Sequence, residues 1–411
     1  MEHKNDNGKF IKGLFCGVLL VLICMAGTLF HFQRKMTKLQ LGTSREGTSE
    51  QLDIDMGAVK QKTKEIETLI NQYYLDEIDE QQIEDTMYTG LVAGLDDPYS
   101  VYYTEEELKT MEESTSGEYS GIGATLTQNP DTKEMSVVSC FENTPAEEAG
   151  LLPGDIIVGW NGSSVEGMEL SELVSKIKTD PDEHLTLEIE RDGDTMEVEL
   201  TRREVEIPTV ESEMLHDQIG YIKLLEFDEV TAEQFRAALD QLEEQGMEKL
   251  IIDVRDNPGG VLQTVCDMLD ELLPEGLIVY TEDKDGNKKE YTSDEAHQFT
   301  KPMAVLTNEN SASASEIFAG AIQDYSLGTI VGTTTFGKGI VQRIFYLSDG
   351  TGVKLTVAKY YTPKGHDIHK KGITPDVEVE LDENLKNKIT ISHDEDNQLQ
   401  KAIKILQSQN Q

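Results

Sequence analysis

The sequence predicts an α+β protein of several domains that is held to a membrane by its N-terminus. Three features lead to this class. An uncharged run occupies residues 13–30, strand-like segments bounded by glycine and aspartate begin near Tyr119, and strands alternate with longer helices from Gly220 onward. A chain of 411 residues is long enough for two or three domains of roughly 150 residues each.

The charge balance excludes one class of partner. The chain has 36 Lys and Arg residues against 78 Asp and Glu residues, a formal net charge of −42. Because such a surface repels phosphate backbones, we expect no nucleic-acid binding. Acidic runs such as Glu105–Glu107 are interpreted as solvated faces, and a preference for basic substrates is left open.

The N-terminal run predicts a single membrane span. Gly13–Phe30 contains eighteen uncharged residues, close to the minimum for a spanning helix and long for the apolar part of a cleaved signal peptide. Since no small-x-small cleavage site follows, we interpret 13–30 as an uncleaved signal anchor between a cytoplasmic tail (1–12) and a linker (31–51). Lysines and arginines flank it on both sides, so charge alone barely sets its orientation. We expect the rest of the chain to lie outside the cytoplasm. One alternative is that 13–30 is a buried core helix. The other is a lipoprotein modified at Cys24, which Ile23 disfavours because a small residue is expected at that position.

Residues 52–104 are predicted to form a helical region. Apolar residues recur there at helical spacing in two groups, which indicates a pair of helices. Asp96, Asp97 and Pro98 are expected to end the second helix. The groups are Val59, Ile66, Leu69, Ile70 and Tyr73, then Ile83, Met87 and Leu91.

Residues 105–202 are predicted to form a small β-rich module with one amphipathic helix at Leu170–Ile177. The segments GEYSGIGATL (117–126) and NTPAEEAGLLPGDIIVGWNGSSV (143–165), with the helix 169–178, resemble a PDZ domain of the bacterial protease type. The resemblance implies a loop, Gly121, Ile122 and Gly123, whose backbone N–H groups bind a C-terminal carboxylate, with glycine allowing close approach. It also implies an apolar pocket formed by Leu170, Val174 and Ile177. The alternative is a structural module in which these glycines only form turns.

Residues 203–385 are predicted to be an α/β core, followed by a C-terminal tail (386–411) with a short helix. The segment NENSASASEIFAGAIQD (308–324) places serines between the end of a strand and the start of a helix. Free N–H groups at a helix start favour developing negative charge, so Ser311, Ser313 and Ser315 are all candidate nucleophiles. An ordinary helix cap is the alternative for each.

A lysine 25 residues after Ser313 supplies a candidate base. Lys338 lies between two glycines in TTFGKGIVQ (334–342), where burial would lower its pKa. A neutral amine can remove the proton of a serine hydroxyl. The alternative is a solvated loop lysine.

Together these segments resemble the carboxy-terminal processing peptidases, tail-specific serine proteases with a PDZ domain inserted in a crotonase-like α/β core. Further segments that carry the resemblance are LDDPYS (95–100), DVRDNPGG (253–260), KYYTPKG (359–365) and KGITPD (371–376). It implies Ser313 as nucleophile, Lys338 as base and Gln342 as the residue that orients the lysine. It implies an oxyanion hole formed by the Ala314 N–H and the Gly259 N–H, with Gly260 as second choice. It also implies a homodimer and no cofactor.

We therefore expect a single-pass membrane protein whose extracytoplasmic part is a serine endopeptidase for proteins or peptides with apolar C-termini. The reaction would proceed through an acyl-enzyme. A metal mechanism is disfavoured, because neither H-E-x-x-H nor a comparable ligand set is present. Two rivals remain: a PDZ adaptor that binds tails without cleaving them, and a lipid- or small-ligand-binding protein on the same core.

Overall fold

The computed structural model describes residues 52–179, 184–294, 296–386, 388 and 390–408. The predicted anchor at 13–30 lies outside these residues, and none of the described helices is long and apolar enough to cross a membrane. The chain divides into two compact units, residues 1–78 and 79–411. The predicted α+β multidomain class is confirmed, with helices and sheets in the second unit.

The described part of the first unit is dominated by one helix, α1 (Met56–Tyr73). The Asp55 carboxylate caps it by accepting a hydrogen bond from the Ala58 N–H at 3.0 Å. The helix buries no residue, and its apolar side chains, among them Ile66 and Leu69, are exposed. The helix predicted from the sequence pattern is therefore present, but its apolar face is not covered by other described residues.

The second unit begins with the other predicted helix, α2 (Glu80–Ala93), which ends before the Asp-Asp-Pro segment. Strand β1 (Val101–Tyr103) and helix α3 (Glu105–Ser116) follow. Thr104 and Glu107 form a reciprocal capping box at the start of α3, and Gly117 ends it with a φ of 74°, a conformation that glycine adopts without strain.

The predicted β-rich module is present, and it includes the predicted amphipathic helix. Its main sheet has the order β3-β4-β5-β7-β8, with β6 on β5, and its core is formed by residues such as Leu173 and Leu187. Strands β2 and β9 pair antiparallel in a small separate sheet, so the strands of this region run from Glu118 to Glu206. The elements are β2 (Glu118–Gly121), β3 (Ala124–Gln128), β4 (Met135–Cys140), α4 (Pro145–Glu148), β5 (Ile156–Trp160), β6 (Ser163–Ser164), α5 (Leu170–Thr179), β7 (His184–Arg191), β8 (Asp194–Thr201) and β9 (Arg203–Glu206).

The α/β core is built on a six-stranded sheet of order β10-β11-β12-β15-β16-β19, in which all neighbours from β11 onward pair parallel. Strands β12 and β15 are buried along their whole length, as expected for a sheet covered on both faces. The strands are β10 (Val210–Leu215), β11 (Ile219–Leu224), β12 (Lys249–Asp253), β15 (Met303–Thr307), β16 (Gly328–Gly332) and β19 (Val377–Glu378).

Helices cover this sheet on two faces. Helices α6, α7 and α8 contribute Phe235, Leu269 and Phe318 to the larger apolar cluster, and α9 contributes Leu399 and Leu406 to a second one. The sequence did not predict α7, which is short and follows a glycine-rich loop. The helices are α6 (Thr231–Glu244), α7 (Leu262–Asp270), α8 (Ala314–Tyr325) and α9 (Asn397–Ser408).

A second sheet brings distant parts of the chain together. Its order is β1-β18-β13-β14, and β17 pairs with β18. Strand β1 therefore lies beside β18, with Val101 opposite Lys354. These strands are β13 (Gly276–Asp283), β14 (Lys288–Ser293), β17 (Ile340–Tyr346) and β18 (Gly352–Tyr361).

A buried ion-pair network fastens the C-terminal tail to the end of β12. The Arg255 guanidinium lies 2.6 Å from Asp253 and 2.7 Å from Asp396. Burial raises the pKa of Asp396, but the hydrogen bonds and charge of Arg255 outweigh it, so this pKa lies below its ordinary value. The stabilisation is therefore present above the ordinary aspartate pKa and is lost as the pH falls through the lowered value.

We expect Asp396→Asn to lower the free energy of unfolding by about 3 kcal/mol at pH 7, because it removes one partner of a buried ion pair. Urea unfolding measures the loss. The exposed Asp394 provides the control: Asp394→Asn should change the free energy little, and equal losses in the two variants would contradict the role of the network.

Candidate active site

The structure distinguishes among the three candidate serines. The Ser311 hydroxyl is buried and donates to the Val254 carbonyl at 2.7 Å, and the buried Ser315 hydroxyl donates to the Asn257 carbonyl at 2.9 Å. Ser313 is half-buried and borders a cleft of about 550 Å³. Ser311 and Ser315 therefore hold the loop in place, and Ser313 is the serine that a substrate can reach.

Ser313 has an unusual backbone conformation. It immediately precedes α8, with φ of 56° and ψ of −113°. A serine at positive φ is strained, and such strain persists only where surrounding contacts enforce it, often at functional sites. Here the enforcing contacts come from a buried glutamate.

The Glu316 carboxylate links the main chains of Ser313 and Lys338. One oxygen, Oε2, accepts hydrogen bonds from the Ser313 N–H at 2.9 Å and the Lys338 N–H at 2.7 Å. The other oxygen, Oε1, accepts from the Thr335 hydroxyl at 2.6 Å and the Gly337 N–H at 2.7 Å. Glu316 is fully buried, so the loop that carries the lysine is fixed to the start of the helix that carries the serine.

A tyrosine connects the same two residues through their carbonyl groups. The Tyr360 hydroxyl, on β18, lies 3.0 Å from the Ser313 carbonyl oxygen and within hydrogen-bonding distance of the Lys338 carbonyl oxygen. The sequence reasoning did not identify Glu316 or Tyr360. The spacing of Ser313 and Glu316, which is that of a capping box, was the available signal for the glutamate.

The Lys338 side chain lies in a half-buried environment. Burial lowers the pKa of its amine below the ordinary lysine value, and the positive charge of Lys354 lowers it further, while Glu316 opposes both. The amine lies 4.8 Å from the centre of the Tyr99 ring. It forms no hydrogen bond or ion pair with any residue that the structure describes, and so none with the Ser313 hydroxyl.

Gln342 borders the same cleft as Ser313, and its amide nitrogen lies 3.4 Å from the Thr356 hydroxyl. Thr356 is held from the other side: its N–H donates to the Ser100 hydroxyl at 3.1 Å, and Ser100 donates to Asp97 at 2.6 Å. Burial raises the pKa of Asp97, but hydrogen bonds from Ser100 and Thr356 lower it more, so the pKa lies below its ordinary value. The motif LDDPYS thus supports the strand opposite Gln342.

We expect Thr356→Val to lower kcat for peptide hydrolysis by about 10- to 100-fold, as is typical when a residue that orients a catalytic group is lost. KM should change little, because Thr356 is not among the residues that border the cleft. Thr356→Ser keeps the hydroxyl and should restore most of the rate; if Ser and Val are equally slow, the hydroxyl does not position Gln342.

The loop before α7 supplies the candidate oxyanion donors. Asn257 is buried and fixes it: its side chain donates to the Leu224 carbonyl at 2.9 Å and accepts from the Gly259 N–H at 2.8 Å. The Gly259 N–H already donates to the Asn257 side chain. This hydrogen bond disfavours Gly259 as the oxyanion donor, which was the first choice from the sequence. Among the described residues, no group accepts a hydrogen bond from the N–H of Gly260 or Ala314, and both residues border the cleft beside Ser313.

We expect Gly260→Ala to lower kcat by about 10²-fold or more, the usual effect of losing one oxyanion donor. Gly260 has a φ of 148°, and a Cβ atom there would lie 2.3 Å from the Phe227 carbonyl oxygen, so the loop must move. Gly286 also has a positive φ, 78°, but open space around it. Gly286→Ala is the matched control, and a similar rate loss in both variants would contradict the prediction.

The predicted peptide-binding residues lie on two sides of one edge of the β-rich module. Strand β3 is the edge strand of its sheet and follows Gly121, the last residue of β2, and the two loop residues Ile122 and Gly123. Gln128 fixes α5 beside this strand, because its amide nitrogen donates to the Met168 carbonyl and its oxygen accepts from the Leu170 N–H. An edge strand next to a helix is the arrangement into which a peptide adds as a further strand.

The predicted pocket residues differ in exposure. Leu170 and Val174 are half-buried, whereas Ile177 and Ile122 are buried in the module's core. Only Leu170 and Val174 of the three predicted pocket residues therefore offer much apolar surface to a bound tail. As for other ligands, no three His, Cys, Asp or Glu side chains of the described residues are grouped as a metal site would require.

Comparisons with known proteins agree on one family. Residues 218–379 match "Peptidase family S41", residues 137–191 match "PDZ domain", and residues 21–107 match "Activating protease CtpB N-terminal domain". The chain is 38% identical over 336 residues to the carboxyl-terminal-processing protease of Synechocystis sp., covering 76% of this chain and 79% of that protein. It is 38% identical over 325 residues to the carboxy-terminal processing protease CtpA of Bacillus subtilis, covering 79% of this chain and 69% of the relative.

A solved structure titled "Photosystem II D1 C-terminal processing protease" aligns at 31% identity and a TM-score of 0.46, over 77% of this chain and 86% of its own. These two relatives share more than two thirds of their length with this chain, and the match to peptidase family S41 at residues 218–379 includes Ser313 and Lys338. The chain therefore belongs to the carboxyl-terminal processing proteases of peptidase family S41, and it is a serine peptidase with a PDZ domain.

Proposed function

We propose that this peptidase is anchored in the cell membrane by residues 13–30 and cleaves extracytoplasmic proteins that it recognises by their apolar C-termini. The observation that carries the catalytic part is the position of Glu316, whose single oxygen Oε2 binds the main chains of both Ser313 and Lys338. In the proposed active arrangement, the Lys338 side chain leaves the Tyr99 ring and its amine approaches the Ser313 hydroxyl.

The proposed reaction is an acyl transfer in two steps. The neutral Lys338 amine takes the Ser313 proton as Oγ attacks the peptide carbonyl carbon, and the N–H groups of Ala314 and Gly260 bind the oxyanion. The lysine ammonium then gives that proton to the leaving amine, and the acyl-enzyme forms. The same amine then takes a proton from water as the water oxygen attacks the ester carbonyl carbon. The lysine ammonium gives this proton to Ser313 Oγ as the C–O bond breaks, which releases the acid and restores the serine hydroxyl and the neutral amine. Gln342 orients the lysine.

The PDZ domain would select the substrate. A tail adds to the free edge of β3, its carboxylate on the N–H groups of the Gly121–Gly123 loop and its last side chain against Leu170 and Val174. Gly123 has a φ of 76°, and a Cβ atom there would lie 2.3 Å from Thr144, so this loop depends on glycine.

The test uses the full-length chain in detergent and an unfolded protein that ends in apolar residues. The parent should cleave it, Ser313→Ala and Lys338→Ala should not, and a C-terminal amide on the substrate should slow cleavage. Tail binding without cleavage by the parent would instead support the adaptor. A membrane-fractionation assay with a chain lacking residues 13–30 tests the anchor.

We also propose a homodimer. The exposed apolar residues of α1, such as Ile66 and Leu69, form a surface that an identical helix can cover. Sedimentation of the parent and of Ile66→Glu/Leu69→Glu in matched detergent tests this, and an unchanged mass would contradict it.

A further inference from the structure

Two carboxyl groups approach the active-site cleft from the segment between β11 and α6. Glu226 and Asp228 both border it, together with Ser313 and Gly260. Asp228 is only 6% exposed. With the residues that the structure describes, its carboxyl group forms no hydrogen bond and no ion pair.

A structural role does not account for this side chain. The usual role of an aspartate before a helix is to cap it, but here the Thr231 hydroxyl accepts from the Asp228 N–H at 2.9 Å and the Thr231 N–H donates to the Asp228 carbonyl at 3.0 Å. Thr231 therefore fixes the main chain of Asp228, and the Asp228 carboxyl group takes no part in these hydrogen bonds.

Leaving a buried carboxylate without a partner is unfavourable. Burial, and with it the negative charge of Glu226, raises the pKa of Asp228 to about 6. The cleft also contains Arg343 and Lys354, from β17 and β18, yet neither forms an ion pair with Asp228 in the described part of the chain. The Asp228 carboxyl group thus has no cationic partner among the described residues, although two cations line the same cleft.

We propose that Asp228, with Glu226, forms a subsite for the ammonium or guanidinium group of a lysine or arginine side chain in the substrate segment that lies across Ser313. This inference rests on the proposed function and adds a second requirement to it: an apolar C-terminus binds the PDZ domain, and a basic residue near the cleaved bond binds the core. The net charge of −42 favours the approach of such segments.

The test compares peptides that share one apolar tail and carry either lysine or its uncharged analogue norleucine at each position around the cleaved bond. Assays with the full-length chain at pH 8, where Asp228 is ionised, should show a preference for lysine of about tenfold or more at one position, equivalent to about 1.4 kcal/mol. Asp228→Asn should reduce this ratio to near one, and Glu226→Gln should reduce it less. Glu229→Gln, at an exposed neighbour, should leave the ratio unchanged.

Three results are decisive. A ratio near one at every position in the parent, or a lysine preference that survives Asp228→Asn, overturns the subsite. If the parent cleaves no peptide, the proposed function fails, and the affinities of Ser313→Ala for the lysine and norleucine peptides still decide the subsite.

Thermal unfolding controls for folding: because ionisation of Asp228 destabilises the fold above its raised pKa, Asp228→Asn should raise Tm more at pH 8 than at pH 4.

Discussion

Lys338→Ala is expected to lower kcat for peptide hydrolysis by at least about 10³-fold, the contribution of a general base that also protonates the leaving group. The fold should remain intact, because the loop at 335–338 is fixed through main-chain groups and Thr335, all of which the variant keeps. Steady-state cleavage of an unfolded substrate measures the rate, and thermal unfolding checks the fold.

Lys338→Arg separates the base from the charge. Arginine cannot lose its proton in a protein, so this variant should be as inactive as Lys338→Ala, and substantial activity would contradict the proposed mechanism. The pH profile gives a second check. Since burial and Lys354 lower the pKa of Lys338, kcat should rise with pH to a plateau governed by a pKa below the ordinary 10.5, and Lys354→Gln should move that rise to higher pH.

Glu316→Gln is expected to have the second large effect. The carboxylate accepts four hydrogen bonds, two on each oxygen. In a glutamine, an NH₂ group would replace one of these oxygens, and two of the four donors would lose their acceptor. Each unsatisfied buried donor costs about 1–3 kcal/mol, so we expect a loss of roughly 3 kcal/mol in the free energy of unfolding. Because Ser313 and Lys338 would no longer be held together, kcat should also fall by at least about 10²-fold.

The two effects of Glu316→Gln are measured separately. Urea unfolding gives the stability, and cleavage at low temperature by the folded fraction gives the rate. Glu248→Gln, at an exposed glutamate of the same core, should change neither. If Glu316→Gln retains the parental rate while folded, the carboxylate does not position the catalytic pair.

The sequence predicted the site where local patterns determine structure. Serines between a strand end and a helix start are visible in the order of residues, and so is a lysine between glycines. The structure then selects Ser313, because the hydroxyls of Ser311 and Ser315 bind carbonyl groups of a loop more than 50 residues away. Such long-range partners are not encoded in spacing.

The same limit explains the other differences. The oxyanion donor depends on the Asn257 side chain, which takes up the Gly259 N–H, and a glycine pair in the sequence does not show which N–H is free. Ile177 has the helical spacing of a pocket residue, but the packing of the module turns it into the core. Helix α7 was missed because its nine residues follow a loop whose glycines indicate a turn. The role of Asp228 likewise appears only when the cleft is assembled.

The ion pair between Arg255 and Asp396 has a consequence for how the chain is handled. Arg255 is two residues before Asn257, which positions the oxyanion loop, and Asp396 lies in the C-terminal tail immediately before α9. Residues 396–408 are thus mechanically coupled to the catalytic loop through the Arg255 side chain. Trimming the C-terminus to simplify expression therefore alters the enzyme itself, and shortened versions should be compared with the full chain before their activities are interpreted.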